Sequence, residues 1–155
     1  MIGAVRLRHV VEADIDVFLA HQRDPEAVRM AVFTGREGDA FREHWRKIIA
    51  DRDVVARTIL TADAVVGHVV VWEEESGRRL VGYWIGRDFW GEGVATAALS
   101  QMLEQVTRRP LYAQVANSNA GSIRVLEKCG FMAVGAEVLT DDVHGEFIEM
   151  LFALE

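Results

Sequence analysis

Apolar residues along the first third of the chain recur at the period of an α-helix. They follow a β-like run over Val5–Val10, and they form one stripe through Glu12–Gln22 and another through Asp39–Ala50. Such a stripe is what an amphipathic helix places against a core. A shorter helix is predicted over Pro25–Ala31, because proline is favoured in the first turn of a helix. This part of the chain therefore predicts one strand followed by three helices.

From residue 56 onward the pattern changes to β-rich runs joined by short connections. The first three runs are Ala56–Thr61, Val65–Trp72 and Arg79–Ile85, and their connections suit hairpins, which predicts an antiparallel meander. Helical spacing returns over Val94–Val106. The remaining predicted elements are a strand, a helix and the two strands of a final hairpin: Leu111–Val115, Ser122–Lys128, Phe131–Val138 and Glu146–Leu154.

The order of these elements predicts an α/β fold in a single domain over residues 1–155. The strand–helix–strand unit from Arg79 to Val115 should form a right-handed parallel crossover, whereas the hairpins are antiparallel. We therefore expect one mixed, mostly antiparallel sheet with helices on both faces.

Composition and charge narrow the class of protein. The chain of 155 residues has a formal net charge of −7 and no clustered block of Lys and Arg, which argues against nucleic acid as a partner. It has no apolar run near the ~18 residues of a membrane span, and no apolar signal-peptide segment at its N-terminus. Its single cysteine, Cys129, fits a reducing compartment. We expect a soluble, cytoplasmic protein without a membrane partner, either a monomer or a homodimer.

Two glycines, Gly91 and Gly93, lie where a predicted strand ends and a helix begins. A turn of this kind points unpaired backbone N–H groups outward, with the positive end of the helix dipole behind them, so that a phosphate or diphosphate is the natural ligand. A tight turn without a ligand would explain the glycines equally well. Neither the P-loop motif nor an early G-x-G-x-x-G is present, which weakens a nucleoside triphosphate or dinucleotide interpretation.

Two segments, YWIGRDFWGEGVATAAL and NSNAGSIRVLEKCGF, resemble the GCN5-related N-acetyltransferase (GNAT) superfamily, and in particular its branch of ribosomal-protein alanine N-acetyltransferases. In that superfamily a Q/R-x-x-G-x-G/A signature holds the diphosphate of coenzyme A through backbone amides. The matching hexad here is Trp90-Gly91-Glu92-Gly93-Val94-Ala95, with tryptophan in place of Q/R. The second motif is carried by Asn119, Ser122, Leu126-Glu127-Lys128 and Gly130-Phe131. The resemblance runs from about Val5 to Leu154.

The resemblance implies the acyl-CoA N-acyltransferase fold, in which two central parallel strands splay apart in a V. Acetyl-CoA would be the cosubstrate, with its pantetheine in the splay and paired with the backbone of the strand that ends at Ile85. Capping of the following helix is the alternative role for Asn119 and Ser122. The residues implied in binding acetyl-CoA are Tyr83, Trp84, Ile85, Trp90, Gly91, Glu92, Gly93, Val94, Ala95, Thr96, Asn119 and Ser122.

The reaction implied is direct attack of a primary amine on the acetyl thioester, with a backbone N–H near Ile85 stabilising the carbonyl oxygen. Members of the superfamily often supply a tyrosine acid and a glutamate base, but the matching positions here are Leu126 and Gln114. Ser122 is therefore a candidate donor to the departing thiolate, with helix capping as the alternative, and Tyr83 is a second candidate catalytic residue, with plain packing as the alternative. No metal is implied. A coenzyme A-binding sensor with little or no catalysis is the alternative function.

The absence of an evident base bears on the amine acceptor. Near pH 7, deprotonating a lysine side chain costs about 4.6 kcal/mol, whereas deprotonating an α-amine costs only about 1.4 kcal/mol. We therefore predict that the acceptor is a protein N-terminal α-amine or a small amine. The turn that carries Asp141, Asp142, His144 and Glu146 either attracts a cationic acceptor or is an ordinary solvated turn. We interpret His68 as a hydrogen-bonded structural histidine.

Overall fold

The computed structural model describes residues 3–32 and 36–155. Its strands are β1 (Val5–His9), β2 (Val55–Thr61), β3 (Ala64–Glu73), β4 (Arg79–Ile85), β5 (Leu111–Ala116), β6 (Met132–Asp141) and β7 (Gly145–Leu154). Its helices are α1 (Asp14–Gln22), α2 (Pro25–Ala31), α3 (Gly38–Ala50), α4 (Val94–Gln105) and α5 (Ala120–Lys128). The predicted order of strands and helices is confirmed. Most predicted ends are close, although α1 begins at Asp14 rather than Glu12, and α4 ends at Gln105 rather than Val106.

The start of α5 and the ends of the final hairpin also differ from the prediction, and local hydrogen bonds explain why. α5 begins at Ala120, before the predicted start at Ser122, because Asn119 Oδ1 accepts a hydrogen bond from Ser122 N at 3.2 Å and caps the helix. The final hairpin extends as far as Asp141 and Gly145, beyond the predicted strand ends. It can do so because the Asp141 carboxylate accepts hydrogen bonds from backbone N–H groups of the turn at 2.8 and 2.5 Å, which keeps the turn short.

The seven strands form one sheet in the order β1-β2-β3-β4-β5-β7-β6. β4 and β5 are parallel, and the other neighbouring strands are antiparallel. In the described part of the chain, β4 and β5 pair at a single position, Leu80 with Tyr112, although β4 continues to Ile85 and β5 to Ala116. The two strands therefore diverge in a V toward their C-terminal ends, which confirms the predicted splay.

Helices cover both faces of the sheet, as predicted. Successive residues of β3 indicate the two faces, because Val69 and Val71 belong to a buried cluster with α4, whereas Val70 packs with α1 and α3. We call these the α4–α5 face and the α1–α3 face. On the α1–α3 face, the rings of Phe18 and Trp45 lie 4.8 Å apart between centroids. None of the helices within the described ranges is both long and apolar enough to cross a membrane.

Candidate active site

A cleft of about 420 Å³ opens between the C-terminal ends of β4 and β5. Its walls include Tyr83, Trp84 and Ile85 of β4, together with side chains from α2 and α5. Tyr83 and Ile85 pack on the α4–α5 face. By contrast, the Trp84 indole Nε1 donates to a carbonyl of α1, His21 O, at 3.4 Å. Because neighbouring residues of β4 reach the cleft from opposite faces, the cleft passes through the sheet.

The β4 backbone offers hydrogen-bonding groups to this cleft. Gly86 N donates to a β3 carbonyl at 2.8 Å. The alternation of an antiparallel ladder therefore turns the backbone of Trp84 toward β3, and the backbone of Tyr83 and Ile85 toward the cleft. Ile85 O already accepts a hydrogen bond from Trp90 Nε1 at 2.9 Å. Trp84 thus contributes its side chain to the cleft. Tyr83 and Ile85, the other β4 residues singled out from the sequence, contribute both side chains and main-chain groups.

Gly91 and Gly93 both have the left-handed conformation that glycine favours, with φ of 75° and 79°. An ideal Cβ at either position would meet nothing within 4 Å. Backbone conformation rather than crowding therefore requires glycine here, and the space beside the turn is open to a ligand. The tight-turn explanation holds, and it does not compete with a binding role.

The backbone N–H groups of this turn have no partner in the described structure. Trp90 N donates to Arg87 O at 3.1 Å, and Ala97 N donates to Gly93 O at 3.1 Å. Between these two bonds, no N–H in the range Gly91–Thr96 donates a hydrogen bond to any residue of 3–32 or 36–155. The donors lie at the N-terminus of α4, where the helix dipole is positive, and such an arrangement binds anions.

The other residues of the glycine hexad and Thr96 contribute in different ways. The Val94 side chain is 2% exposed and lies in the core, so that only its backbone N–H is available. Glu92 is exposed and lies outside the cleft lining. Thr96 O accepts a long hydrogen bond from a cysteine Sγ at 3.7 Å. Trp90 and Ala95 line the cleft itself.

Tyr83 and Ser122 form a hydroxyl pair in the cleft. Their side-chain oxygens are 2.7 Å apart, and Tyr83 Oη also lies 3.3 Å from Ser122 O, to which it can donate. Burial raises the pKa of Tyr83 to about 12, against the opposing effect of the hydrogen bond with Ser122. The phenol therefore keeps its proton at neutral pH. A strand residue of β4 and a residue in the first turn of α5 are thus brought together on one wall.

Asn119 has a structural role that does not exhaust its hydrogen-bonding groups. Its Oδ1 caps α5 through Ser122 N, so the capping alternative is part of the answer. Its amide Nδ2 makes no hydrogen bond within the described residues, and the side chain lines the cleft. The amide nitrogen is available to a ligand while the oxygen holds the helix.

Arg124 on α5 also lines the cleft, and sequence reasoning did not single it out. It is exposed, and none of the ion pairs among the described residues involves it. The sequence could have indicated Arg124, because the helical period places Gly121, Arg124 and Val125 on one side of α5. All three line the cleft. On α2, Met30 contributes to the wall in the same way.

A carboxylate that sequence reasoning also passed over lies on the α1–α3 face. Glu149 of β7 pairs with Ala116, whose neighbour Val115 is buried on the α4–α5 face. Alternation along β5 therefore turns Ala116 and Glu149 toward the α1–α3 face. Burial raises the pKa of Glu149, and the carboxylate of Glu137, its partner on β6, raises it further. Gln114, where the superfamily often has a glutamate, shares that face.

His68 is a structural histidine, but the prediction that it is hydrogen-bonded was wrong. Its Nδ1 is buried without a hydrogen-bond partner in the described residues. Its ring centroid lies 4.8 Å from that of Phe18 and 4.6 Å from that of Trp45, so aromatic packing holds the ring instead. Burial lowers its pKa to about 3, and the imidazole stays neutral.

The acidic turn between β6 and β7 is explained by its own hydrogen bonds. The Asp141 carboxylate lies 3.0 Å from His144 Nδ1 and also accepts backbone N–H groups of the turn. Neither these residues nor Asp142 and Glu146 are among the described residues that line the cleft. The local structure therefore fits the solvated-turn interpretation.

The splayed parallel pair and the row of open backbone donors beside it are the features that a resemblance to acyl-CoA-dependent acyltransferases implies. The sequence profile of the acetyltransferase (GNAT) domain family matches residues 4–132. The chain therefore belongs to this family and is an acetyl-CoA-dependent acyltransferase, which confirms the resemblance. Among the described residues, no group of three or more His, Cys, Asp or Glu side chains could hold a metal ion.

Relatives and solved structures agree with this assignment. The N-acetyltransferase p20 of Bacillus licheniformis, itself uncharacterised, is 24% identical over 161 residues, which cover 96% of this chain and 90% of that protein. The ribosomal-protein-alanine N-acetyltransferase of Brucella melitensis has a TM-score of 0.83 at 19% identity, over 96% of this chain and 98% of that one. The spermidine N-acetyltransferase of Vibrio cholerae, in complex with CoA and spermine, has a TM-score of 0.80 at 18% identity, over 96% and 94%. These structures share the fold.

Proposed function

We propose that this protein acetylates the α-amine of a protein N-terminus or a small primary amine. The observation that carries the proposal is the row of unpaired backbone donors over Gly91–Thr96 beside a cleft that crosses the sheet. A ligand held by those donors on the α4–α5 face has a path through the cleft to the α1–α3 face. An amine approaching from that second face can then meet it.

The residues present fit acetyl-CoA. The donors of Gly91–Thr96 would hold the diphosphate, and Arg124 adds positive charge on the same side of the cleft. Asn119 Nδ2 and the backbone groups of Tyr83 and Ile85 that face the cleft would bind the amide-bearing chain. When bound, acetyl-CoA supplies the acetyl group as an activated thioester.

Tyr83 and Ser122 are the proposed proton donors to the departing thiolate. They line the same cleft, with their hydroxyl oxygens 2.7 Å apart. Because the Tyr83 phenol keeps its proton at neutral pH, it can donate that proton directly or through Ser122. The superfamily's usual tyrosine position, Leu126, is 1% exposed and lies in the core, so the hydroxyl pair would take over that role.

Glu149 is the proposed proton acceptor for the amine. The register supports this role, because Glu149 of β7 lies on the same face as Gln114 and Trp84. A neighbouring strand thus supplies the carboxylate that Gln114 lacks. Its raised pKa brings the group closer to the working pH of a general base, and its charge attracts a protonated amine.

The acceptor is expected to be an amine that loses its proton readily. A half-buried carboxylate such as Glu149 is a weak base for a lysine ammonium, which costs about 3 kcal/mol more to deprotonate near pH 7 than an α-ammonium. Two proteins of the same fold, a ribosomal-protein-alanine N-acetyltransferase and a spermidine N-acetyltransferase, represent the two remaining acceptor classes.

Competing acceptors test this proposal. We expect a peptide with a free α-amine and no lysine to be acetylated up to roughly 200-fold faster near pH 7 than the same peptide with a blocked N-terminus and one lysine. Spermidine in a third reaction distinguishes a small amine from a peptide. Thiol release and mass spectrometry report the transfer. A clear preference for lysine would contradict the acceptor class, and acetyl-CoA binding without transfer to any amine would contradict catalysis.

A further inference from the structure

A second cavity, of about 660 Å³, lies at the opposite end of β4 from the cleft. It forms where the β3–β4 hairpin meets the connection between α4 and β5. We call it the arginine pocket, because its walls include Arg78, Arg79, Arg108 and Arg109, and Glu74 is the one carboxylate among its described lining residues. Such a concentration of cations is unexpected in a chain whose formal net charge is −7.

Two of the four guanidinium groups serve the fold. Arg109 donates to Val106 O at 2.8 Å and to Leu103 O at 3.4 Å, near the C-terminal end of α4, where a cation is favoured. Arg78 pairs with Glu74 at 2.5 Å, and its guanidinium carbon lies 5.5 Å from the centroid of the Tyr112 ring. The pocket's carboxylate is therefore already neutralised.

The guanidinium groups of Arg79 and Arg108 form no ion pair with any residue that the structure describes. Arg79 Nε is buried and makes no hydrogen bond within residues 3–32 and 36–155. Glu73 is opposite Arg79 in the strand register, yet the two form no ion pair in the described structure. Arg108 is exposed, and no ion pair of a described residue involves it. A buried donor without an acceptor is unfavourable, so an acceptor bound at Arg79 would remove a deficit of the fold.

The chemistry of these groups selects the ligand. A guanidinium presents a planar fork of donors that matches two oxygens of one phosphate, and two such forks suit a ligand with more than one anionic group. Glu73 and Glu75 lie on the hairpin beside the pocket and are exposed, so the surrounding surface repels a long polyanion. We propose that the arginine pocket binds a small molecule carrying a diphosphate, at a site separate from the acetyl-CoA cleft.

Calorimetric titration with inorganic pyrophosphate tests this proposal. The protein is first saturated with coenzyme A, so that the donors of Gly91–Thr96 are occupied and do not contribute heat. We expect one pyrophosphate per chain to bind, and we expect the double variant Arg79→Ala with Arg108→Ala to bind at least tenfold more weakly, since each removes a charged contact. The matched control is Arg52→Ala, which removes an exposed cation outside both cavities and should leave pyrophosphate affinity unchanged.

Thermal unfolding and acetyl transfer by the double variant check that its fold and its cleft are intact. Absence of pyrophosphate binding, or equal binding by the double variant and the parent, would overturn the proposal. Tighter binding of a short nucleic acid duplex with the same dependence on Arg79 and Arg108 would overturn the assignment to a small molecule. If coenzyme A fails to bind, the proposed function is contradicted, but the loss of pyrophosphate affinity in the double variant still tests the arginine pocket. The two proposals therefore fail by different results.

Discussion

The two sides of the cleft are built from different parts of the polypeptide. On the proposed coenzyme side, defined by Gly91–Thr96, Asn119, Ser122 and Arg124, most of the candidate binding groups are backbone N–H donors of one short turn. On the proposed acceptor side, Met30 and Trp84 line the cleft, and Glu149 lies on the same face of the sheet outside that lining, so the groups are side chains from three distant segments. A diphosphate is the same in every acyl-CoA and can be bound by main chain, whereas amine acceptors differ and require side chains. The coenzyme side is therefore visible as a local motif and the acceptor side is not.

The largest effect is expected from a substitution that disrupts only the proposed coenzyme side. Gly93→Val places a β-branched residue at a φ of 79°, where it costs about 1–2 kcal/mol, so the turn should rearrange and withdraw its donors. Losing two charge-assisted hydrogen bonds of about 1.5–3 kcal/mol each weakens acetyl-CoA binding roughly 10²–10⁴-fold. Calorimetry with acetyl-CoA measures the change.

Gly145→Val is the matched control for this substitution. Gly145 has a φ of 67° and, like Gly93, open space at its Cβ position, but it is the first residue of β7, directly after the turn that joins β6 to β7. It should carry the same backbone strain and leave acetyl-CoA affinity near that of the parent. Equal losses of affinity in both variants would mean that strain, rather than the donors, accounts for the effect.

The second prediction concerns the boundary between the two sides, where chemistry takes place. Tyr83→Phe removes the phenol that contacts Ser122 and should lower kcat roughly 100-fold while acetyl-CoA affinity is retained, since general acid catalysis contributes about that much. With a pKa of about 12 the wild-type phenol stays protonated, so its ionisation should not limit the rate in neutral or mildly alkaline solution. Steady-state kinetics with a peptide acceptor measure both.

Tyr112→Phe controls for loss of a tyrosine hydroxyl, because Tyr112 is the other tyrosine of the chain and lies outside the cleft. A kcat for Tyr83→Phe within twofold of the Tyr112→Phe value would rule out the phenol as the acid. The plain-packing alternative for Tyr83 would then stand.

Prediction from the sequence succeeded wherever a few neighbouring residues determine the structure. Gly91 and Gly93 adopt conformations that favour glycine, and Asn119 caps the helix that follows it, so each motif carries its own explanation. These features needed no knowledge of distant contacts.

Prediction from the sequence failed where the pairing of distant strands determines which residues are neighbours. The final hairpin could have joined β5 through either of its strands, and only the observed order, with β7 beside β5, brings Glu149 opposite Ala116. Nothing local in the segment FIEMLF specifies that neighbour. Arg124 is an intermediate case, because the helical period of α5 puts it beside Gly121, but the cleft that both line exists only once β4 and β5 diverge.

The third prediction tests the role of Glu149 on the proposed acceptor side. If Glu149 accepts the proton of the amine, it must be ionised, and wild-type activity should fall as pH decreases through its raised pKa. Glu149→Gln should lower kcat about 100-fold near neutral pH and remove that acidic limb, with the KM for acetyl-CoA unchanged. The measurement is a pH profile of kcat for both proteins.

Glu146→Gln is the control on the same strand, because alternation along β7 turns Glu146 to the opposite face. Its pH profile should match that of the wild type. Loss of the acidic limb in both variants, or in neither, would remove Glu149 from the acceptor side.

The smallest effect is expected on the proposed coenzyme side, at Arg124, an exposed cation among the described residues that line the cleft. An exposed ion pair contributes about 1 kcal/mol, so Arg124→Ala should weaken acetyl-CoA binding about fivefold, and the difference should shrink as salt is added. Lys128→Ala removes an exposed cation from the same helix outside the cleft lining, and it should leave acetyl-CoA affinity unchanged. A loss that is equal in both variants would indicate a general field of the helix, whereas a loss confined to Arg124→Ala indicates a contact with a phosphate. Because backbone donors remain in either case, the comparison measures how much one side chain adds to a site made chiefly of main chain.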